Sequence, residues 1–351
     1  MQFHPIALAL AAAALFGLST PACKVLLGTV DPSLLAGLLY CGAGLGIGVL
    51  RRLTKWVSTE AKTSEAKLTP AEMPWLAGAI AAGGVVGPLL LMTGLARTDA
   101  ATASLLLTLE GVATALIAWF VFRENFDRRI ALGMLCLVAG AGVLSWSGQP
   151  TIAGLFGPLA IVGACIAWGI DNNLTRRVSL ADPLQIVELK GLVAGPVNLV
   201  IGLIGGAATP PVPSIALAGL VGFFGIGVSL ALFVVALRHL GAARTGAYFS
   251  TAPFIGGIGA VMALGEPLSA QLLVAGVLMA IGVWLHVTEH HEHDHVHEAL
   301  EHPHRHVHDE HHRHEHGPDD PAGEPHVHRH QHEPLRHKHA HTPDMHHTHD
   351  H

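Results

Sequence analysis

Glu110 stands near the middle of a long apolar run, Asp99–Glu124, which reads DAATASLLLTLEGVATALIAWFVFRE. Thr114 falls one helical turn after it, on the same face, and Thr108 lies close by. A charge at the centre of a membrane-spanning helix costs about 2.5–3.5 kcal/mol on insertion scales, so it needs a partner or water. A carboxylate beside hydroxyls in a low dielectric suits a cation, or a proton exchanged for one. The competing reading is a structural pair with Lys24 or Lys190.

Other charges in apolar surroundings are few. Glu188 and Lys190 are two residues apart, so on a helix they face different sides and do not simply neutralise each other. Lys190, Ala194 and Asn198 fall at i, i+4 and i+8, one stripe. Asp171, Asn172 and Asn173 come just before Arg176 and Arg177. Capping or interfacial hydrogen bonding is the plain role for them, and substrate contact the functional one. Lys24 follows Pro21 and is expected as a counter-ion for Glu110, as an anion contact, or as an outward-snorkelling cation. The candidate ion path is therefore Glu110, Thr114, Lys24, Asp171, Asn172, Glu188, Lys190 and Asn198. Glu124 and Glu266 sit at segment ends and are expected to be mainly structural.

A second kind of chemistry fills the carboxyl-terminal tail. Of 27 His in the chain, 25 lie in residues 286–351. The runs HHEHDHVH, HPHRHVHDEHHRHEH, HVHRHQH and HKHAH alternate His with other residues. In an extended chain His-x-His puts both residues on one side. Neutral imidazole is a ligand for Zn, Ni, Co and Cu. The candidate ligands are His290, His291, His293, His295, His297, His304, His306, His308, His311, His312, His314, His316, His326, His328, His330 and His332. Carboxylates between them raise the local cation concentration, and a flexible tail imposes no geometry that selects one metal. A low-complexity extension with only a buffering role is the alternative. The tail has no apolar periodicity and several Pro, which predicts disorder over 288–351. No cofactor is obligatory for the rest of the chain.

The body has different physics. The chain of 351 residues is 50% hydrophobic and only 13% charged, with 40 Gly. Apolar segments near the ~20 residues that span a bilayer recur ten times. They are 5–27, 33–50, 73–95, 99–121, 129–147, 153–172, 184–205, 214–237, 242–264 and 268–287. Helices are required, because in lipid every backbone group must be bonded within its own segment. Pro21, Pro88, Pro158, Pro196 and Pro253 interrupt five of them. Gly42, Gly44, Gly46, Gly48, Gly83 and Gly87 give the small-residue spacing that lets helices approach closely. The first segment resembles a signal peptide in length but lacks Lys and Arg before it, so it is read as a span. Cys23, Cys41, Cys136 and Cys165 all lie in apolar runs without C-x-x-C and are read as small hydrophobes. There is no P-loop, no G-x-S-x-G and no H-E-x-x-H, which argues against an enzyme and against ATP coupling within this chain. No nucleic-acid partner is expected; a homodimer stays open.

Lys and Arg in the loops predict orientation. Loops after the second, fourth, sixth and eighth spans carry 12 of them, from Arg51 to Arg244, while the other side has Arg97 and Lys24. Both termini are thus expected in the cytoplasm, with the chain multi-pass in a bacterial-type inner membrane.

The chain is also duplicated. Gly241–Glu266 repeats the design of Asp99–Glu124, with Pro253 where Gly111 stands. Phe16-Gly17 with Lys24 matches Trp168-Gly169 with Arg176, and Asp31-Pro32 matches Asp182-Pro183. Leu76-Ala77-Gly78 matches Leu217-Ala218-Gly219. Five spans per half is an odd number, so the second half is inverted relative to the first. Such repeats place a substrate site at their interface near the midplane.

Ten spans in two halves, each opening on an aromatic-Gly pair and each with a fourth span ending in Glu, resemble the drug/metabolite transporter (DMT) superfamily, and within it the EamA-like family. The resemblance covers about residues 5–287 and none of the tail. It implies an all-α integral membrane fold, with a first repeat over 5–147 and an inverted second over 153–287. The cavity would lie between the halves, lined by spans one to four and six to nine. Family members usually carry Pro before the terminal Glu of the fourth span. Pro253 and Glu266 fit, and Glu110-Gly111 departs. Members move metabolites, amino acids, nucleotide-sugars and drugs. The expected function is secondary active transport of a small solute by alternating access. A divalent transition metal (Ni, Co or Zn) is narrowly favoured, with the tail as collector or sensor. The alternatives are export of a polar metabolite, amino acid or drug with a regulatory tail, or a membrane-anchored metal buffer without transport.

Overall fold

A computed structural model describes residues 5–57, 68–122, 128–146, 152–178, 182–288, 292–296, 301–306, 326–331 and 336–340. The body is all helix. In chain order it contains α1 (Pro5–Leu26), α2 (Pro32–Val57), α3 (Met73–Ala79), α4 (Gly87–Leu95), α5 (Ala100–Leu106), α6 (Leu109–Phe122) and α7 (Arg128–Ser145). The second half contains α8 (Ile152–Arg176), α9 (Pro183–Ile204), α10 (Val212–Gly222), α11 (Ser229–Phe249), α12 (Ala252–Leu264) and α13 (Ala270–Val287). Among the described residues, eight spans are long and apolar enough to cross a membrane, and the shorter apolar α12 and α13 bring the number to ten. The fold is that of an all-α integral membrane protein with two inverted five-helix repeats.

The repeat is visible in the helix starts. Asp182 Oδ1 accepts from Leu184 N at 2.9 Å and Gln185 N at 3.3 Å, capping α9, and Pro183 opens the first turn. Asp31 Oδ1 accepts from Ser33 N at 2.8 Å ahead of α2, with Pro32 in the same place. An Asp cap followed by Pro suits a helix start, where the missing N–H costs nothing.

It is visible again in the irregular turns. Residues Ile80–Val86 join α3 to α4 as a π-helix, and Phe223–Val228 join α10 to α11 the same way. The wider turn frees carbonyls in the middle of the third and eighth spans. The fourth span breaks at Leu107–Thr108, between α5 and α6. The ninth breaks at Ser250–Thr251, just before α12. Thr108 Oγ1 donates to Leu105 O at 2.8 Å, and Thr251 Oγ1 donates to Tyr248 O at 2.6 Å. One element differs from the sequence reading. Residues 238–241, expected as a loop, continue α11. The stretch from Gly241 to Phe249 is Ala-rich and free of Pro, so the helix runs on until Pro253 withdraws a donor.

Close approach between helices follows the small residues. The broadest contact joins α2 and α9. Added Cβ atoms there would lie 2.5 Å from Gly44 Cα at Gly191 and 2.5 Å from Cys41 Sγ at Gly195. Gly42 meets Gly219 O at 2.2 Å and Gly46 meets the Phe223 ring at 2.0 Å by the same construction. The glycine runs thus seal the bundle internally. Leu, Val, Phe and Trp side chains on the outside, such as Phe120, Leu135, Val277 and Trp284, are exposed as lipid-facing residues must be. Cys23, Cys41, Cys136 and Cys165 are all free thiols.

In the tail, four stretches pair as two antiparallel ribbons. β1 (Glu292–Val296) pairs with β4 (Arg336–Ala340), and β2 (Glu301–His306) pairs with β3 (His326–Gln331). In these described stretches the alternating His segments follow the period-two backbone of a strand. Each ribbon has two strands and no apolar sequence to build a core, so neither adds to the fold of the body.

Candidate functional site

Glu110 is positioned by the break in the fourth span. It lies in the first turn of α6, not at mid-helix as its sequence position suggests. The dipole at a helix start favours a carboxylate there. Across from it, α8 presents Asn172 and Asn173. Asn172 Nδ2 donates to Glu110 Oε1 at 2.9 Å and to Thr114 Oγ1 at 3.2 Å. Asn173 Nδ2 donates to Thr114 O at 3.1 Å and to Gly169 O at 2.8 Å, which fixes the wall. These residues line a pocket of about 400 Å³ completed by Gly111, Ala115 and Ala118. The helices meet below it at Gly169, where an added Cβ would lie 2.9 Å from Ala113 Cβ.

Neither lysine offered by the sequence as a partner for Glu110 takes that role. Lys24 Nζ donates to Leu95 O and Thr98 O, each at 2.7 Å, and so caps the carboxyl end of α4. Lys190 Nζ donates to Asp171 Oδ1 and, at 2.8 Å, to Thr175 Oγ1. The described side-chain partner of Glu110 is therefore the neutral Asn172, and no described cation pairs with it.

Asp171, Lys190 and Asn198 meet instead around the wide turn of the third span. Thr175 Oγ1 donates to Asp171 Oδ1 at 2.7 Å, so α8 and α9 are tied by a three-membered polar set. Asp171 packs directly on Gly83, where no Cβ fits, since it would lie 1.9 Å from Asp171 Oδ2. The Gly83 carbonyl accepts from Tyr40 OH at 2.8 Å and from Trp168 Nε1 at 2.9 Å. Gly84 O accepts from Asn198 Nδ2 at 3.0 Å. Side chains from α2, α8 and α9 thus satisfy the carbonyls that the π-turn releases. Asn198 is fully buried, and its Oδ1 has no partner among the described residues.

Glu188 belongs to a third group. Arg51 binds Glu188 Oε2 through Nη1 at 2.7 Å and Asp182 Oδ2 through Nε at 3.0 Å, and Arg52 adds a contact to Glu188 Oε1 at 3.5 Å. This ties the end of α2 to the start of α9. Two residues apart, Glu188 and Lys190 do serve different neighbours, Arg51 and Asp171.

The path residues therefore split into a pocket (Glu110, Thr114, Asn172), a set at the wide turn (Asp171, Lys190, Asn198), an end cluster (Glu188) and a helix cap (Lys24). Sequence reasoning missed Tyr40, Trp168, Gly83 and Arg51. Trp168 was in view as half of the repeated aromatic-Gly pair, and Gly83 as a packing glycine. Nothing linear shows that both serve one carbonyl. Glu266 is structural, as its position suggests. Its Oε1 and Oε2 accept from Ala100 N and Ala101 N, each at 2.7 Å, and cap α5 in the opposite half. Glu124 lies outside the described residues.

Among residues with described side chains, no three His, Cys, Asp or Glu gather in a way that would hold a metal. Of the tail candidates, His293, His295, His304, His306, His326, His328 and His330 fall on the ribbons, as backbone positions. The register sets His293 opposite His339, His295 opposite His337, His304 opposite His328 and His306 opposite His326. His290, His291, His297, His308, His311, His312, His314, His316 and His332 lie outside the described residues.

Comparison with known proteins joins these features. The profile of the EamA-like transporter family matches residues 4–146 and 155–288. An uncharacterized transporter of Methanothermobacter thermautotrophicus is 31% identical over 281 residues, covering 77% of this chain and 82% of the relative. A solved crystal structure shares the fold with a TM-score of 0.58 at 18% identity, over 80% of this chain and 95% of the other. The duplicated helices, paired π-turns and broken fourth and ninth spans thus belong to a membrane transporter, and the chain is a member of the EamA-like transporter family.

Proposed function

We propose that this transporter moves a small cationic solute by alternating access, with a divalent transition-metal ion as its cargo. The observation that carries the reading is Glu110: a carboxylate on a pocket, bonded to the Asn172 amide, with the Thr114 hydroxyl in the same lining and no described counter-ion. Taking a charge out of water is costly unless it is paired, so a carboxylate left without a cation is poised to receive one. Asp171, Lys190 and Asn198 hold the wide turn beside this pocket and support the walls on which the solute moves. The His-rich tail collects or senses the same ion, through imidazoles suited to Ni, Co or Zn. With the basic loops inside, both termini and the tail face the cytoplasm.

Full-length protein in liposomes should accumulate Co²⁺, Ni²⁺ or Zn²⁺, and Glu110→Gln should lower the rate at least tenfold. Movement of none of the three overturns the metal reading.

A second reading is favoured by the lack of any three-ligand metal group among the described side chains. It makes the cargo a polar organic cation or metabolite, which hydrogen bonds to Asn172, Thr114 and Glu110 would hold without dehydrating an ion. Liposomes that export an amino acid or an amine, while ignoring metals, would select it. A membrane anchor for a metal-buffering tail needs one span and has no use for a duplicated, charge-bearing body.

A further inference from the structure

The two ribbons of the tail carry a regularity that composition alone does not produce. They contain eleven residue pairs, five from β1–β4 and six from β2–β3. Five of the eleven set His against His, and none sets His against any other residue. In the outer ribbon they are His293–His339 and His295–His337. In the inner ribbon they are His302–His330, His304–His328 and His306–His326. From Val296–Arg336 to Glu301–Gln331 is five residues on either strand, so both ribbons keep one register along the chain.

Directly opposite residues of an antiparallel pair share a face of the ribbon, and so do residues i and i+2. One face of each ribbon is therefore made of His positions alone. The charged residues fall on the other face: Asp294 opposite Lys338 in the outer ribbon, Glu301 and Arg305 in the inner one. The carboxylates that alternate with His in the sequence are thus placed apart from them.

The register is a specific one. A slip of one residue would move the His of one strand to the face opposite those of its partner. A slip of two that brought HPHRHVH fully against HVHRHQH would keep His on His but set Arg305 against Arg329. Like charges directly opposite are unfavourable, and the same slip in the outer ribbon would part Asp294 from Lys338.

An apolar core does not hold these ribbons, because an isolated two-stranded ribbon is marginal in water and neither has an apolar face. A ligand that grips both strands at once would stabilise the pairing by mass action. Two adjacent His–His pairs mark a quadrilateral of about 5 by 7 Å, from the cross-strand spacing and the rise per residue. Four nitrogen donors so placed suit one four-coordinate transition-metal ion. Hard cations such as Mg²⁺ and Ca²⁺ take oxygen ligands, which this face does not offer.

We propose that the tail holds two imidazole-only sites for a divalent transition-metal ion, one on each ribbon, and that the ion closes the ribbons. His293, His295, His337 and His339 form the outer site. His304 and His328, with one adjacent pair, form the inner site. Binding draws β4 back onto β1, so the tail shortens when the ion arrives, which is the behaviour of a sensor. The proposal rests on the reading of the tail as a metal binder. It goes further by making register, and not the number of His, the source of affinity.

The test uses full-length protein in detergent, Zn²⁺ as the probe, equilibrium dialysis for stoichiometry and the infrared amide band for strand content. Two insertions keep every His. A Ser between Gly317 and Pro318 lengthens the connection from β2 to β3 and leaves all five His–His pairs possible. A Ser between His304 and Arg305 breaks the inner register. Wild type and the first insertion should bind two tight ions and gain strand signal on binding. The second insertion should lose at least one tight site, with affinity there falling roughly tenfold or more as chelation is lost. Glu301→Gln should change binding less than twofold. Equal binding in both insertions without a gain of strand overturns the proposal and leaves the tail as an ion collector. A loss in Glu301→Gln as large as that in the second insertion also overturns it, since the sites would then not be imidazole-only. If wild type binds no more Zn²⁺ than protein lacking residues 289–351, the metal reading of the tail falls, and the proposal with it.

Discussion

Lys190 pairs with Asp171 across α8 and α9, and that pairing leaves Glu110 without a cation among the described residues. The two acids sit on adjacent parts of α8's surroundings yet have opposite circumstances. One is neutralised in place, with Thr175 completing its bonds, and the other faces a pocket.

The Asp171–Lys190 pair should behave as a unit. Lys190→Met leaves a largely buried carboxylate uncompensated, which should cost about 3–5 kcal/mol. Asp171→Asn together with Lys190→Met should recover more than half of that loss. Chemical unfolding of the solubilised protein measures it, and additive losses in the double variant would show that the pair is not coupled.

Glu266 supplies both acceptors for the start of α5. Glu266→Ala removes two charge-assisted bonds and should destabilise the protein by about 2–4 kcal/mol. Glu266→Gln should keep one bond and part of the stability. Thermal melts of the two variants should separate clearly; equal melts would mean the cap contributes nothing.

Glycines predict a sharp contrast. Gly17→Ala places a methyl group against the Ala252 carbonyl and should prevent accumulation of folded protein in the membrane. Gly111→Ala meets nothing within 4 Å and should be tolerated. The amount of monodisperse protein recovered from membranes reads the difference, and normal recovery of Gly17→Ala would contradict the close approach.

Loss of the wide-turn bonds should affect rate before folding. Tyr40→Phe and Trp168→Phe each release one bond to Gly83 O, worth about 1 kcal/mol. Either alone should leave the protein stable, and together they should slow transport several-fold. An unchanged rate in the double variant would limit these residues to packing.

Removing residues 289–351 should abolish most metal binding while the ten-span body stays folded. Equilibrium dialysis against Ni²⁺ compares the two proteins. Equal stoichiometry would return the tail to a low-complexity extension.

Much of the architecture was legible because bilayer physics leaves few choices. Apolar length marked the spans, and odd-numbered halves required inversion. Asp31-Pro32 and Asp182-Pro183 marked helix starts for a reason that holds locally, an acceptor followed by a residue with no N–H to satisfy. The site was less legible. Glu110 could be singled out as a charge in an apolar run. Its partners could not, because Asn172 is 62 residues away and reaches it only through the α6/α8 contact. The π-turns were hidden too: Gly83 and Gly84 look like packing glycines. Their carbonyls matter only because Tyr40, Trp168 and Asn198 converge there from three other helices. The end of α11 was misplaced because Gly241 reads as a loop, although nothing there removes a backbone donor before Pro253.

The cap that Glu266 places on α5 has a consequence for the duplication itself. A span of the first half begins on acceptors owned by the second, so the halves are mutually dependent at the level of single amides. Separated, the first half would enter a bilayer with the leading N–H groups of α5 lacking these acceptors, in the medium that penalises such groups most. The join between the halves therefore secures delivery of the missing acceptor in the right stoichiometry, and two halves made apart should regain a native fold only by finding each other.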